Sequence, residues 1–371
     1  MDPGAGQDTG DRMANAQEHE LHYPLGDVLP DTGTTQEVGP GVRWLRMKLP
    51  FALDHINLWL LRDELEGRAG WTIVDCGITT ESTREAWEQV FASAELEGLP
   101  VLRVIVTHMH PDHLGLAHWL CERWSTPEQP CRLWISATDW NAGRMASQTT
   151  TGFGGDAAAA FFCGHGLVDP EAVARVRSRS NYYATMVPQV PAQFRRLMDG
   201  QVLRIGAHEW RCWAGHGHSP EHISLHCEAL GLLISGDMVL PRISTNISVI
   251  DLEPEGNPLP LYLASLERLR ALPAGTFVLP SHGKPFTGLH ARIDQLVAHH
   301  DERLAEVMAL CAQAPTSAAD VLPVMFKRVL DLHQTTFAMG EAVAHLNALW
   351  LGGQLRRERG ADGVWRFAPA A

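Results

Sequence analysis

Seven consecutive residues, Thr107-His108-Met109-His110-Pro111-Asp112-His113, carry most of the information in this chain. They follow 101–106, an apolar run interrupted only by Arg103, which is typical of a buried central strand. His108 and His110 stand two apart, so in an extended chain both imidazoles point the same way and can reach one metal ion. Asp112 and His113 come where the chain turns into a helix, and they can face a second ion. Because chance rarely groups such side chains, the stretch predicts a centre for two metal ions.

Four further segments place a carboxylate or an imidazole at the end of a predicted strand. They are Ile73-Val74-Asp75-Cys76-Gly77, Gly215-His216-Gly217-His218-Ser219-Pro220-Glu221-His222, Ser235-Gly236-Asp237 and Pro280-Ser281-His282-Gly283. Functional sites gather at the strand ends of layered α/β sheets, so we expect these segments to meet the histidine-rich stretch. In the second segment His216 and His218 stand two apart, and this spacing leaves both open as ligands.

The hydrophobic pattern predicts an α/β protein with two strand-rich halves and helices between the strands. Predicted strands cover 42–49, 56–61, 71–74, 101–106, 132–136, 201–205, 209–214, 223–227, 231–234 and 276–279. Predicted helices cover 83–96, 114–124, 261–272 and 289–311. This arrangement indicates an α/β/β/α sandwich.

The domain organisation follows from changes in composition along the chain. We expect a flexible tail at 1–20, a catalytic domain at 21–312 and a small C-terminal domain at 313–371. Within the catalytic domain, 139–200 is predicted as a mostly helical insertion that could cap the site. In the C-terminal domain, helices at 319–332 and 340–351 precede strands at 354–359 and 363–367, which suggests a winged-helix-like appendage.

In their order along the chain, the five motif segments resemble those of the metallo-β-lactamase-fold superfamily. The matching segments are 73–77, 107–113, 217–222, 235–237 and 280–283, and the resemblance covers about residues 40–285. Within that superfamily, the chain resembles hydroxyacylglutathione hydrolases and bacterial metallohydrolases that carry a C-terminal winged-helix-like appendage. The resemblance implies a four-layer αββα sandwich with a helical insertion.

The resemblance also implies a ligand set for two ions. The first ion would be held by His108, His110 and His218, and the second by Asp112, His113 and His282, with Asp237 bridging both. The family pattern Gly-His-Ser/Thr-Pro-x-His favours His218 over His216. Zn²⁺ is the usual ion, while imidazole and carboxylate ligands also suit Fe or Mn.

The charge of this ligand set explains its chemistry. Five neutral imidazoles and two carboxylates leave a net charge of +2 on two divalent ions, which lowers the pKa of a bridging water toward neutrality. A metal-bridging hydroxide would then attack a polarised carbonyl or phosphoryl group. Asp112 and Asp237 are the candidate catalytic residues of this scheme.

Further residues are candidates for supporting the loops or contacting substrate. Asp75 would support the metal-binding loops, and His222 would orient its loop or touch substrate. His55 could line the mouth of the site or be an ordinary surface histidine, and Arg242 could bind an anionic group or form a structural ion pair. Tyr182 and Tyr183, with Phe153 and Phe161, could line an apolar pocket in the insertion.

These observations predict a metal-dependent hydrolase of an ester, thioester or lactone. A metal-dependent ribonuclease is an alternative because of the C-terminal appendage, although the net charge of −13 disfavours binding to nucleic acid. A β-lactamase-type amide hydrolase and a non-catalytic binding protein remain further alternatives. A composition with 45% hydrophobic and 20% charged residues is that of an ordinary globular protein.

The remaining features concern location and assembly. Seven cysteines without a C-x-x-C pair favour a reducing compartment over a disulfide framework. The first 20 residues lack the apolar segment of a signal peptide, and no stretch reaches the ~20 apolar residues that cross a bilayer. We therefore expect a cytoplasmic protein without a membrane partner. An apolar helix at 340–351 could serve a homodimer.

Overall fold

The computed structural model describes residues 15–150, 152, 154–327 and 330–370, without the side chains of residues 332 and 333. Its strands are β1 (Gln36–Gly39), β2 (Val42–Lys48), β3 (His55–Leu65), β4 (Arg68–Val74), β5 (Val101–Ile105), β6 (Arg132–Ser136), β7 (Phe194–Leu197), β8 (Val202–Ile205), β9 (His208–Gly215), β10 (His222–Cys227), β11 (Leu232–Gly236), β12 (Phe277–Pro280), β13 (Leu355–Arg359) and β14 (Trp365–Pro369). Its α-helices are α1 (Glu81–Ala92), α2 (Pro111–Leu114), α3 (Ala117–Trp124), α4 (Ala137–Gln148), α5 (Gly155–Gly164), α6 (Pro170–Ser178), α7 (Tyr182–Met186), α8 (Pro258–Leu269), α9 (Leu289–Cys311), α10 (Ala318–Met325) and α11 (Leu332–Leu351).

Two mixed sheets form the centre of the molecule. The larger has the order β1-β2-β3-β4-β5-β6-β7, and the smaller has the order β12-β11-β10-β9-β8. Strands β4 to β7 pair in parallel, as do β11 and β12, while the other neighbours in the two sheets are antiparallel. The ends of β5, β9, β11 and β12 lead into the histidine and aspartate motifs, as the sequence predicted.

Three apolar cores separate four layers. The central core packs the two sheets together and contains the stacked Trp44 and Trp59, whose ring centroids lie 6.3 Å apart. A second core lies between the larger sheet and the helices that contribute Trp87 and Leu120. The third packs the smaller sheet against α8, α9, α10 and α11. This is the predicted αββα sandwich.

Two element predictions need correction. The insertion at 139–200 is mostly helical, but it ends in β7, which pairs with β6 at the edge of the larger sheet. Its sequence Phe-Arg-Arg-Leu lacks the alternating pattern of a strand. The predicted helix at 319–332 instead ends at Met325, and α11 begins at Leu332 because Asp331 and Gln334 form a capping box.

Helix α11 also begins before the predicted residue 340 and runs through Gly340 without interruption. A Cβ atom at Gly340 would lie 2.8 Å from Ser248 Oγ, so the glycine allows the helix to approach the loop that follows β11. Together with α10 and the β13–β14 hairpin, α11 forms the C-terminal region. The winged-helix-like assignment of this region stays a prediction.

The termini of the molecule also pack against its body. Of the predicted flexible tail, residues 1–14 lie outside the described residues, whereas Asn15 Nδ2 donates to Gln295 Oε1 at 2.6 Å. The helix suggested for a homodimer is covered within the chain, since Met339, Val343 and Leu346 are fully buried in the third core. In the part of the chain that the structure describes, no helix is long and apolar enough to span a membrane.

Candidate metal centre

Three histidines converge to form the first cluster of the centre. His108 and His110 come from the loop between β5 and α2, and His218 comes from the loop between β9 and β10. His108 Nε2 lies 2.9 Å from His110 Nδ1 and 3.1 Å from His218 Nε2, and the third distance, His110 Nδ1 to His218 Nε2, is 3.0 Å. Nitrogens bound to one tetrahedral zinc ion lie about 3.3 Å apart, so the spacing is close to that of a shared ion.

The second cluster is more acidic. His113 Nε2 lies 3.6 Å from Asp112 Oδ2, and His282 Nε2 lies 3.4 Å from the same oxygen. Asp112 and His113 belong to α2, which begins with Pro111, and His282 follows β12. One donor atom from each of these three residues falls within 4.8 Å of the others, as also holds for the first cluster with Asp237.

Asp237 connects the two clusters through its two carboxylate oxygens. Oδ2 lies 3.3 Å from His218 Nε2, while Oδ1 lies 3.5 Å from the Nε2 atoms of both His113 and His282. Asp237 Oδ1 and His113 Nε2 are buried, yet neither makes a hydrogen bond within the described chain. Buried polar atoms without partners are costly, and a bound cation would satisfy both. The donor set therefore fits two divalent ions.

The two clusters differ in their affinity for protons. Burial and the neighbouring imidazoles hold the pKa of His108 well below its usual range, and burial with His218 lowers the pKa of His110 to about 3. Burial also opposes protonation of His282, but Asp237 and Asp112 outweigh it and raise its pKa to about 10. Without metal, His108 and His110 are thus neutral, whereas His282 holds a proton.

In His218, His282 and His113, the ring nitrogen that faces away from the centre has a partner that fixes the orientation of the ring. His218 Nδ1 donates to Asn246 O at 2.8 Å, and His282 Nδ1 donates to His55 O at 2.7 Å. His113 Nδ1 lies 2.8 Å from Asp75 Oδ2. Because these acceptors favour a hydrogen on Nδ1, the neutral rings present the Nε2 lone pair to an ion. Asp75 also accepts from the backbone N–H of Thr107 at 2.8 Å, so it supports the loop as well as the ring.

Two more histidines stand near His218 in the chain, His216 in the same loop and His222 at the start of β10, and their environments differ. His222 is fully buried and accepts from the backbone N–H of Asp237 at 3.2 Å, so it positions Asp237. A Cβ atom at Gly236, which has φ +55°, would lie 2.2 Å from His222 Nε2, so this contact requires glycine. His216 Nδ1 lies 2.8 Å from Pro220 O, outside both clusters.

Two positioning residues escaped the sequence analysis. Asp139 accepts from the backbone N–H groups of Met109 at 2.8 Å and Glu221 at 2.6 Å, and so ties two metal-binding loops together. The one sequence signal for Asp139 is Ser136, the N-cap residue of α4, whose side chain accepts from the backbone N–H of Asp139. Asn57 donates from Nδ2 to Pro280 O and Gly283 O, both at 2.8 Å, and so holds the loop of His282. The sequence signal for Asn57 was a polar amide side chain within an otherwise apolar predicted strand.

The structure separates the residues predicted to contact substrate. The side chain of His55 accepts from Gly283 N–H at 2.9 Å at the edge of the second cluster. Tyr183 lies over the first motif, where its hydroxyl donates to Met109 O. Tyr182 instead faces Arg179, whose guanidinium lies 5.6 Å from the ring centroid. Arg242 pairs with Glu18 at 3.3 Å, which favours the structural ion pair.

The predicted aromatic pocket of the insertion does not form as one unit. Phe161 lines a cavity of about 510 Å³ together with Arg357, Arg359 and Trp365 of the C-terminal hairpin. Tyr183 packs with the core beneath the larger sheet, and Phe153 lies outside the described residues. Phe161 lies on α5, whereas Tyr182 and Tyr183 lie on α7, and the two helices place these rings apart.

Comparisons with known proteins agree with this geometry. The family model described as the metallo-beta-lactamase superfamily matches residues 52–282, which is more than half of the chain. A second model, described as the metallo-beta-lactamase-like C-terminal domain, matches residues 304–370 and begins within α9. A relative from Bacillus subtilis, the probable metallo-hydrolase YqjP, is 24% identical over 320 residues, covering 82% of this chain and 91% of its own.

Two solved structures resemble the whole molecule. A beta-lactamase domain protein from Burkholderia ambifaria is 59% identical with a TM-score of 0.90, and the match covers 96% of this chain and 100% of that one. The metallo-beta-lactamase family protein TTHA1429 from Thermus thermophilus is 27% identical with a TM-score of 0.69, covering 90% and 100% of the two chains. The chain therefore belongs to the metallo-β-lactamase superfamily, as a metallohydrolase of that fold.

Proposed function

We propose that the chain is a dinuclear metal-dependent hydrolase that cleaves an ester, thioester or lactone. The observation that carries this proposal is the placement of Asp237, whose two oxygens face different histidine clusters at 3.3–3.5 Å. A carboxylate in this position can bridge two ions and hold them close together. We assign the first ion to His108, His110 and His218, and the second to Asp112, His113 and His282.

The ions, zinc in the first instance and iron or manganese as alternatives, would supply an activated water near neutral pH and polarise the scissile carbonyl. The protein's contribution is to orient the ligands and to place two carboxylates beside the reacting atoms. Asp237 is the more enclosed of the two, with its side chain 10% exposed against 17% for Asp112. We therefore assign proton exchange with the substrate to Asp112 and the bridging role to Asp237.

The proposed substrate class rests on charge and on the resemblance to hydroxyacylglutathione hydrolases. A net charge of −13 opposes binding to a polyanion, so a small acyl compound is favoured over RNA. The hydroxyl of Tyr183, in the insertion, donates to the backbone oxygen of Met109 in the 107–113 motif. This contact supports the assignment of the insertion as a cap. Seven free cysteines support a reducing, cytoplasmic setting.

A single panel tests the proposal. The purified chain is analysed for metal per polypeptide and assayed with acyl thioesters, lactones, aryl esters, a β-lactam and single-stranded RNA. We expect two ions per chain and turnover of at least one ester, thioester or lactone that a chelator abolishes and added metal restores. Cleavage of RNA or of the β-lactam without ester or thioester turnover would contradict the proposed substrate class.

A further inference from the structure

Helix α11 of the C-terminal region anchors the irregular loop between β11 and α8. Val249 N–H donates to Gly340 O at 3.1 Å, and Asn347 Nδ2 donates to Gly256 O at 3.0 Å. Ile247 and Val249 of the same loop are buried in the third core with α11. A loop of this length without regular structure depends on such contacts for its conformation.

A further contact of α11 with the same loop leads to the candidate metal centre. Glu341 is 8% exposed, and its Oε2 accepts from Asn246 Nδ2 at 3.3 Å. The Asn246 side chain is held from the other side by Ser248 Oγ, which donates to its Oδ1 at 2.7 Å. The backbone oxygen of Asn246 then accepts the hydrogen on His218 Nδ1 at 2.8 Å. Two hydrogen bonds therefore connect α11 to a ligand of the first cluster.

The other ligands have supports of a different kind. His113 rests on the carboxylate of Asp75, and His282 rests on the backbone oxygen of His55, which belongs to β3. A backbone oxygen within a strand is fixed by the sheet, whereas Asn246 lies in a loop outside any strand. The orientation of its carbonyl therefore depends on the anchors of the loop, among them the contacts that the Asn246 side chain makes with Glu341 and Ser248.

We propose that Glu341 is a positioning residue for the first metal: by holding Asn246, it directs a backbone carbonyl at His218 and so lets the C-terminal region complete the His108, His110 and His218 cluster. This inference rests on the proposed function only in requiring that the cluster binds an ion. Loss of an outer partner of a metal ligand typically weakens metal affinity about 10- to 100-fold. Since Glu341 acts through Asn246, we expect the lower end of that range.

The test uses the full chain and measures metal affinity rather than turnover alone. Zinc affinity is determined by competition with a chromophoric chelator, and the visible spectrum of the Co²⁺-loaded protein reports the geometry of the site. We expect Glu341→Ala to weaken the binding of one ion about tenfold and to shift the Co²⁺ spectrum. Glu341→Gln keeps an acceptor oxygen in the same place, so it should restore both readouts to wild-type values.

A double-mutant cycle with Asn246 sharpens the test. Asn246→Ala keeps the backbone carbonyl and removes its anchor, so it should match Glu341→Ala, and the double variant should be no weaker than either single one. If Glu341→Ala no longer melts cooperatively, its metal affinity does not report on positioning. Asn246→Ala breaks the same hydrogen bond from the loop side and then tests the inference by itself. Additive losses of affinity in the double variant would overturn the inference.

Asn347→Ala is the matched control, because it removes a buried anchor between the same helix and the same loop at Gly256, ten positions along the chain from Asn246, whose carbonyl contacts His218. It should lower the melting temperature while leaving metal affinity within about twofold. Equal losses of affinity in Asn347→Ala and Glu341→Ala would overturn the positioning role. Wild-type protein that binds no ion would overturn the proposed function as well, whereas two ions held equally tightly by wild type and Glu341→Ala would overturn this inference alone.

Discussion

The two metal clusters lie side by side and share Asp237, but they are built differently. The first contains three histidines that come within 3.1 Å of one another, and burial keeps His108 and His110 neutral. The second combines two histidines with carboxylates, which raise the pKa of His282 to about 10 after outweighing the effect of burial. His108 and His110 can therefore accept a cation without losing a proton, while His282 must exchange a proton for its cation.

Their supports come from opposite ends of the chain. His218 is oriented by a loop anchored on α11 of the C-terminal region, and His282 is oriented by β3 of the N-terminal half. The orientation of His218 therefore depends on the C-terminal region, whereas that of His282 depends on the N-terminal half. The two ions should therefore respond to different substitutions, although both clusters share the carboxylate of Asp237.

The largest effect is expected from removing a ligand of the first cluster. His110→Ala should leave one ion per chain and reduce hydrolytic kcat/KM about 1,000-fold, or about 4 kcal/mol of transition-state stabilisation. Metal analysis and steady-state kinetics measure the two losses. His118→Ala, which removes a partly exposed histidine paired with Glu122 at 3.3 Å, is the control and should retain both ions. Undiminished turnover of His110→Ala would falsify the metal mechanism.

A support of the second cluster should matter less than a ligand. Asp75→Asn removes the carboxylate that orients His113, so affinity for the second ion should fall about 10- to 100-fold while the first ion stays bound. Chelator competition resolves the two affinities. Asp63→Asn is the matched control, since Asp63 is also buried in the larger sheet, where it pairs with Arg103 at 2.8 Å. It should lower the free energy of unfolding without changing metal affinity, and equal affinity losses in both variants would refute the specific role of Asp75.

The difference in proton affinity predicts a difference in pH dependence. Between pH 7 and 9 the metal-free His282 is protonated because its pKa is about 10, and Asp75, Asp112 and Asp237 outweigh burial and raise the pKa of His113 as well. The second ion must therefore displace at least one proton and should bind at least about tenfold more tightly per pH unit. His108 and His110 are already neutral in this range, and they add no such dependence to the first ion. Zinc titrations at pH 7, 8 and 9 with measured proton release check this. Identical pH slopes for both ions would remove the distinction between the clusters.

The smallest effect is expected at His216. Its ring faces Pro220 O and lies outside both clusters, so His216→Ala should change the affinity of either ion by less than about twofold. His218→Ala, two residues along, should lose an ion as His110→Ala does. Metal analysis of the two variants side by side makes the comparison, and a lost ion in His216→Ala would reverse the choice between these histidines.

Much of the site follows from local spacing. The separation of His108 and His110 on an extended chain, and the turn into a helix before His113, determine which side chains can converge, so the donors could be predicted from short motifs. The remaining donors lie at the ends of strands whose apolar runs are equally clear in the sequence. The order of layers was predictable for the same reason, whereas the edge strand β7 was not, because its residues carry no strand pattern.

What the sequence by itself determined, then, is the αββα architecture and the set of candidate metal donors, because both depend on patterns only a few residues long. Only the tertiary structure decided what holds the donors in place. Asp139 reaches Glu221 over 82 positions, Asn57 reaches Pro280 over 223, and Asn246 reaches Glu341 over 95. Such partners leave no periodic trace, because a hydrogen bond between distant segments depends on how whole layers pack.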